Sequence, residues 1–255
     1  MRIVVKIGSS SLTYESGRLN IRHFEKFVKV LSDIKNAGHE IILVSSGAIA
    51  MGIGKLNLSQ KPEDIPGKQA AAAIGQCELM YEYDKQFSIY NQVTAQILLT
   101  ADDFLNETRY SNFKNTIRKV LEMGALPIVN ENDSVATDEI RFGDNDTLAA
   151  NVACAIDADI LILLSDIDGL FTADPHKNKS AVLIPTVSEI NSEIEKLAGG
   201  IGSSLASGGM KTKIAAAQIV MNNGCDMIIT NGQNPDSLYE IVEGKPVGTK
   251  FVGRR

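Results

Sequence analysis

The sequence predicts an α/β fold, a three-layer α/β/α sandwich with a mostly parallel central sheet. Three observations predict it. Short apolar runs of strand length alternate with longer segments of helical period along all 255 residues. The runs at 41–44 (IILV) and 160–164 (ILILL) are continuously apolar rather than alternating, as in strands covered on both faces. Polar and glycine-rich clusters at 6–10, 45–54, 130–146, 165–175 and 207–213 mostly fall beyond strand carboxyl ends, where such folds bind ligands.

The elements follow in order. RIVVKIGS (2–9) is a strand that stops at glycine. Residues 21–37 place Phe24, Phe27, Val28, Leu31 and Ile34 along one helical face, and Gly38 ends that helix. HEIILVSS (39–46) is the second strand. GAIAMGIG opens a helical or turn segment, and 67–86 is a helix whose AAAA run permits very close packing. SIYNQVTAQILLT (88–100) reads as a strand-like piece followed by an ambiguous apolar run. Residues 109–123 form a helix closed by Gly124, ALPIVNEN (125–132) a strand, DTLAANVACAID (146–157) a small-residue helix, and ADILILLSD (158–166) the clearest buried strand. The segment 168–187 is rich in turn signals, Asp168-Gly169 and Asp174-Pro175 among them, and reads as an excursion from the sheet. GGMKTKIAAAQIVMNNG (208–224) is a helix framed by glycines, CDMIITNG (225–232) a strand, PDSLYEIVEG a short last helix and PVGTKFV a last strand. Without repeats or a flexible linker, the expectation is one continuous domain over 1–255, with two lobes around a cleft as its simplest elaboration.

Composition removes several function classes. A net charge of −6, from 25 basic and 31 acidic residues, argues against broad nucleic-acid binding, which wants a basic face. A local basic pocket for one small anion stays open. The 3 cysteines, Cys77, Cys154 and Cys225, are far apart and form no CxxC pair, so a disulfide framework or structural zinc is not expected and a reducing cytosol fits. The opening MRIVVKIG is a strand pattern rather than a leader, and no apolar run approaches the roughly 18 residues of a membrane helix. His23, His39 and His176 form no ligand cluster, so a metal here would be a hard cation held by oxygens.

The strand ends carry the candidate chemistry. Lys6 lies inside the first strand. It is either an edge-strand lysine turned to water or a buried one that needs an anion. Gly8 and the serines after it can wrap oxygens with backbone N–H groups. Ser45, Ser46 and Gly47 join a strand to a helix start, another anion-favouring geometry if they are more than a cap and a tight turn. Neither the P-loop spacing nor a dinucleotide fingerprint is present, since GSSLASGGMKTK (202–213) fails the P-loop pattern. GGMKTK (208–213) offers a different cradle: two glycines, then Lys211 and Lys213 in a first turn, where they oppose the helix dipole unless a polyphosphate or solvent screens them. Ser165, Asp166 and Asp168 follow a buried strand and can receive sugar or base donors. Asn130, Asn132 and Asp133 end a strand, and Asp144, Asn145 and Asp146 open a helix. Each could be a helix cap. Together they can read the amine and carboxylate of a small amino acid and orient a lysine or a magnesium ion. This inventory suits phosphoryl transfer. A carboxylate acceptor, with a free pKa of about 4, needs no general base.

VVKIGSS (4–10), VSSGAIAMG (44–52), PIVNENDSVA (127–136), FGDNDTLAA (142–150), LLSDIDGLFTADP (163–175) and GGMKTKIAAA (208–217), in this order, resemble the amino acid kinase family, and within it the branch that phosphorylates the side-chain carboxylate of glutamate. The resemblance covers essentially the whole chain and implies the carbamate kinase-like fold. It implies ATP with Mg2+ as cofactors, L-glutamate as substrate, L-glutamyl 5-phosphate as product and the first step of proline synthesis as the place. Lys6, Asp146 and Lys213 would be catalytic, Lys6 and Lys213 on the transferring group and Asp146 organising both. Ser46, Asp133 and Asn145 would hold glutamate, with Asn130 assisting. Lys6, Ser165, Asp166, Ser207, Gly208, Gly209, Met210, Lys211, Thr212 and Lys213 would line the nucleotide. Residues to about 150 would serve mainly the amino acid and about 151–255 mainly ATP, with magnesium riding on the nucleotide. The resemblance further implies proline as feedback inhibitor at the glutamate site, a homo-oligomeric (dimer or tetramer) cytoplasmic enzyme, and no nucleic-acid or membrane partner. Many members of the branch carry a C-terminal PUA domain, and the expectation here is a short form without it. The alternatives are another family activity (on acetylglutamate, aspartate, carbamate or UMP) or a non-catalytic ATP or amino-acid sensor.

Overall fold

Strand β1 (Arg2–Ile7) lies in the middle of the sheet, hydrogen-bonded to β2 (Glu40–Ser45) on one side and to β5 (Ile160–Ser165) on the other, parallel to both. The computed structural model describes residues 1–136, 145–175, 177–200 and 209–254. Its single sheet has 8 strands in the order β3-β4-β2-β1-β5-β7-β8-β6, adding β3 (Thr94–Leu99), β4 (Leu126–Glu131), β6 (Thr186–Val187), β7 (Asp226–Asn231) and β8 (Thr249–Phe251). All pairings are parallel except β7 with β8. The sheet therefore runs without a break across residue 150.

Helices cover both faces, and the strand period of two decides which side chain meets which layer. Ile3, Val5 and Ile7 of β1, with Ile41 and Leu43 of β2 and Ile162 and Leu164 of β5, face the layer of α2 (Ile21–Asn36) and α4 (Ile65–Ser88). Val4, Ile42, Val44, Leu161 and Leu163 face the other layer, formed by α6 (Glu107–Glu122), α7 (Asp146–Ala155) and α9 (Met210–Asn222). Phe24, Phe27, Val28, Leu31 and Ile34, the expected stripe of α2, are all buried. Lys6 shares the parity of Val4, so the fold aims it at α7.

The remaining helices are α1 (Ser9–Leu12), α3 (Ala48–Leu56), α5 (Ala101–Leu105), α8 (Ser192–Gly200) and α10 (Ser237–Val242). The GAIAMGIG segment is helical, and the ambiguous run near 94–99 is the edge strand β3. Helix α8 and the two-residue β6 had no expectation set for them. Gly75, Ala71 and Ala72 among the small residues of α4 pack inside the chain, while Ala70 and Ala73 are exposed. A Cβ on Gly75 would lie 1.7 Å from the carbonyl oxygen of Ala48, and one on Gly52 1.9 Å from that of Ala71. Helices α3 and α4 thus touch backbone to backbone, which only glycine allows here. Among the described residues no helix is long and apolar enough to cross a membrane.

Candidate active site

Strands β1, β2, β4 and β5 are parallel neighbours, so their carboxyl ends share one edge of the sheet. Lys6, Ser46, Asn130 and Ser165 are delivered to that edge by four different strands. The backbone N–H of Ser46 donates to the carbonyl of Ile7 at 3.1 Å, tying the exits of β2 and β1 together. Gly47 then turns the chain at φ +107°, a left-handed conformation that glycine adopts without strain, and α3 begins.

The basic centre is built on Asp146, the first residue of α7, which has no solvent exposure. Lys6 Nζ lies 2.8 Å from Asp146 Oδ1 and Lys213 Nζ 3.0 Å from Oδ2. Lys6 is 7% and Lys213 5% exposed. β1 is interior to the sheet, which removes the edge-strand alternative for Lys6, and Lys213 is no surface lysine. Thr212 Oγ1 lies 2.7 Å from the Gly209 carbonyl oxygen and 3.1 Å from Asp146 Oδ2, so its one hydrogen is shared between them. Burial alone would raise the Asp146 carboxyl. The ammonium groups of Lys6 and Lys213 outweigh it and hold the carboxyl well below the usual carboxylate range.

Beside this centre lies a cluster of amides. Asn145 occupies the N-cap position of α7 yet makes no capping bond. Its Nδ2, which carries two hydrogens, lies within hydrogen-bonding distance of three oxygens, the Ser45 carbonyl at 3.0 Å, Ser46 Oγ at 3.0 Å and Asn130 Oδ1 at 2.9 Å. Capping therefore accounts for neither Asn145 nor Asp146. Asn130 Nδ2 donates to Gln76 Oε1 of α4 at 2.8 Å. Below the serines, Tyr83 and Ser45 share a buried hydroxyl bond of 2.9 Å. Asp133 follows β4, and burial pushes its carboxyl up to about 6.

On the β5 side Ser165 Oγ donates to Asp166 Oδ1 at 3.0 Å, and Asn231 Nδ2 to Asp168 Oδ1 at 2.8 Å. The side chain of Met210 packs in the core, while Lys211 is exposed. At this edge α1, α3, α7 and α9 have no side-chain bond at their N-caps, whereas α5, which follows β3, carries a capping box of Thr100 and Asp103. Helices α2, α4 and α6 are capped by Asn20, Asp64 and Asn106. First-turn N–H groups without a side-chain cap are suited to anionic oxygens. The lysines, N–H groups and glycines present fit a polyphosphate. Among the described residues no group of three or more histidine, cysteine, aspartate or glutamate side chains gathers.

The structure thus brings Lys6, Asp146, Lys213, Thr212, Ser46, Asn130 and Asn145 into one connected set. Ser207, Gly208 and most of the 134–143 excursion lie outside the described residues. The sequence reading missed Gln76 and Tyr83. The signal was there: Ala72, Gln76, Leu79, Tyr83 and Phe87 recur at helical spacing, and a glutamine in such a stripe is a buried polar group.

Comparison with known proteins adds three findings. The amino acid kinase family matches over residues 1–231. A glutamate 5-kinase of Clostridium perfringens is 51% identical over 258 residues, covering 100% of this chain and 96% of the relative. One of Carboxydothermus hydrogenoformans is 53% identical over 255 residues, covering 100% of this chain and 68% of the relative. Among solved structures, isopentenyl phosphate kinase superposes with a TM-score of 0.67 at 16% identity, over 99% of this chain and 100% of that one. UMP kinase from Ureaplasma parvum gives 0.65 at 16% identity, over 98% of each. At that identity the structural likeness carries the fold alone.

Proposed function

The chain belongs to the amino acid kinase family, and from that premise we infer that it carries out the glutamate 5-kinase reaction. The γ-phosphoryl group of ATP passes to the side-chain carboxylate of L-glutamate, giving L-glutamyl 5-phosphate and ADP, the first step of proline biosynthesis. The observation that carries this reading is the pair of buried ammonium groups on the Asp146 carboxylate, directly beside the amide and hydroxyl cluster of Asn145, Asn130 and Ser46.

In this reading Lys6 and Lys213 meet the transferring phosphoryl group from β1 and α9, and Asp146 holds them at one spacing so that no reorganisation is needed as charge develops. Ser46, Asn145, Asn130 and Asp133 hold glutamate. Its distal carboxylate is ionised at neutral pH and acts as its own nucleophile. The N–H groups at the starts of α1 and α9, with Gly209 and Thr212, take phosphate oxygens. Ser165 and Asp166 lie by the nucleoside. Ser207, Gly208, Met210 and Lys211 complete the nucleotide side, Met210 through its backbone. Mg2+ rides on the phosphates and neutralises part of their charge. Residues to about 150 thus serve mainly glutamate and the rest mainly ATP. Proline carries the same α-amino and carboxylate groups as glutamate and competes for the amide cluster. The enzyme works in the cytoplasm as a homo-oligomer, for which the exposed Ile74 and Tyr81 of α4 offer apolar surface.

The test is ADP release that requires both L-glutamate and Mg2+, with the acyl phosphate trapped as a hydroxamate by hydroxylamine. Lys213→Ala should lower kcat by about 10²–10³ while calorimetric glutamate affinity changes little. Turnover with a different acceptor and none with glutamate would overturn the reading. Equal loss of turnover and binding in Lys213→Ala would remove the transition-state role of that lysine.

A further inference from the structure

We propose that Gln76 is a positioning residue for the amino-acid substrate, fixing Asn130 and, through it, the side-chain oxygen of Asn145 that receives the substrate's ammonium group. The proposal rests on the glutamate reading above and adds a residue from the opposite helical layer.

The polarity of the amide chain follows from groups that cannot change roles. The backbone N–H of Glu131 can only donate, and it meets Asn130 Oδ1 at 2.9 Å. Asn130 must therefore turn its oxygen that way and its Nδ2 the other way, toward Gln76 Oε1 at 2.8 Å. The carbonyl of Ser45 can only accept, and with Asn130 Oδ1 it demands the Nδ2 of Asn145. What remains is Asn145 Oδ1, a buried acceptor with no partner among the described residues. A buried acceptor left unmatched is costly, and a donor such as a substrate ammonium relieves it.

Gln76 holds the far end of this chain. It is 9% exposed, and its neighbour Gly75 is pressed on the backbone of Ala48, so its position is set by contact between helices rather than by a loop. Removing the Gln76 oxygen would leave Asn130 Nδ2 buried without an acceptor. Asn130 would then gain by swinging its amide, releasing both the Glu131 N–H and Asn145. Asn145 would in turn be free to present nitrogen instead of oxygen to the ligand. Lys6, Asp146 and Lys213 are not part of this chain.

Gln76→Met tests the idea, since methionine keeps the length and helix preference of glutamine and offers only a weak sulfur acceptor. The KM for glutamate should rise about tenfold or more, with the calorimetric Kd rising in step. The KM for ATP and kcat should move little, while the melting temperature should fall by the cost of one buried amide donor without an acceptor. In an Asn130→Ala background, Gln76→Met should add nothing, because its route of action is gone. An unchanged glutamate KM and Kd in Gln76→Met, or the same rise in both backgrounds, would overturn the proposal. A wild-type chain that neither binds nor turns over glutamate would instead overturn the glutamate reading, and this proposal with it.

Discussion

Asp146 is fully buried and Asp133 half-buried, and their surroundings drive the two carboxyls in opposite directions. Burial pushes Asp133 up to about 6, whereas two ammonium groups pull Asp146 down against the same effect. A carboxyl raised in the folded state favours folding while it is protonated. For Asp133 that contribution is full below the unfolded value near 4 and is lost as pH rises through about 6. Above pH 7 the ionised group is therefore a burden on the ligand-free fold, one that the ammonium of a bound amino acid would relieve. Asp133→Asn should stabilise the ligand-free protein at pH 7.5 by about 1–2 kcal/mol, discounting the gap of roughly two units for partial exposure, and should have almost no effect at about pH 3, below both values. Thermal melts at the two pH values check this, and the same variant should weaken glutamate binding. Equal melting shifts at both pH values would contradict it.

Elements reach the site through close packing as much as through polar contacts. Helix α3 begins one glycine after Ser46, and α4 carries Gln76 and Tyr83, so the backbone contact between α3 and α4 sets the spacing of the substrate wall. Gly75→Ala places a methyl carbon where the Ala48 carbonyl already stands. The helices must separate or unwind locally. A loss of about 1–3 kcal/mol is expected, with a larger proportional loss in glutamate affinity than in ATP affinity. Chemical denaturation together with the two KM values measures both. A stable Gly75→Ala protein with normal glutamate KM would show that the two helices yield without disturbing Ser46. By contrast, the N-capping asparagines of α2 and α6 lie on helices that take no part in the site.

On the scale of the whole molecule, the order of elements and the burial of the central strands were legible because apolar runs such as IILV and ILILL leave little alternative. The charged centre was legible because Lys6 interrupts a buried strand and Asn145 and Asp146 open a helix. Helix α8 and strand β6 were not, since a half-buried polar helix and a two-residue strand carry little periodic signal. Gln76 escaped because its partners are 54 residues away in the chain and only the fold makes them neighbours. Continuity of the sheet has a further outcome. A fragment ending at residue 158 would keep β1 to β4 but strip β1 of β5, opening an apolar edge. It should aggregate when expressed alone. A soluble, monomeric, helical fragment by sedimentation and circular dichroism would contradict this.

Because Ile3 pairs with Ile160, and Asp146 waits for Lys213, the first strand made on the ribosome lacks one of its two neighbours until β5 emerges, and the charged centre cannot close before α9 is made. The nascent protein must keep its first strand sheltered until β5 has been made, and phosphotransfer chemistry can switch on only once α9 has left the exit tunnel.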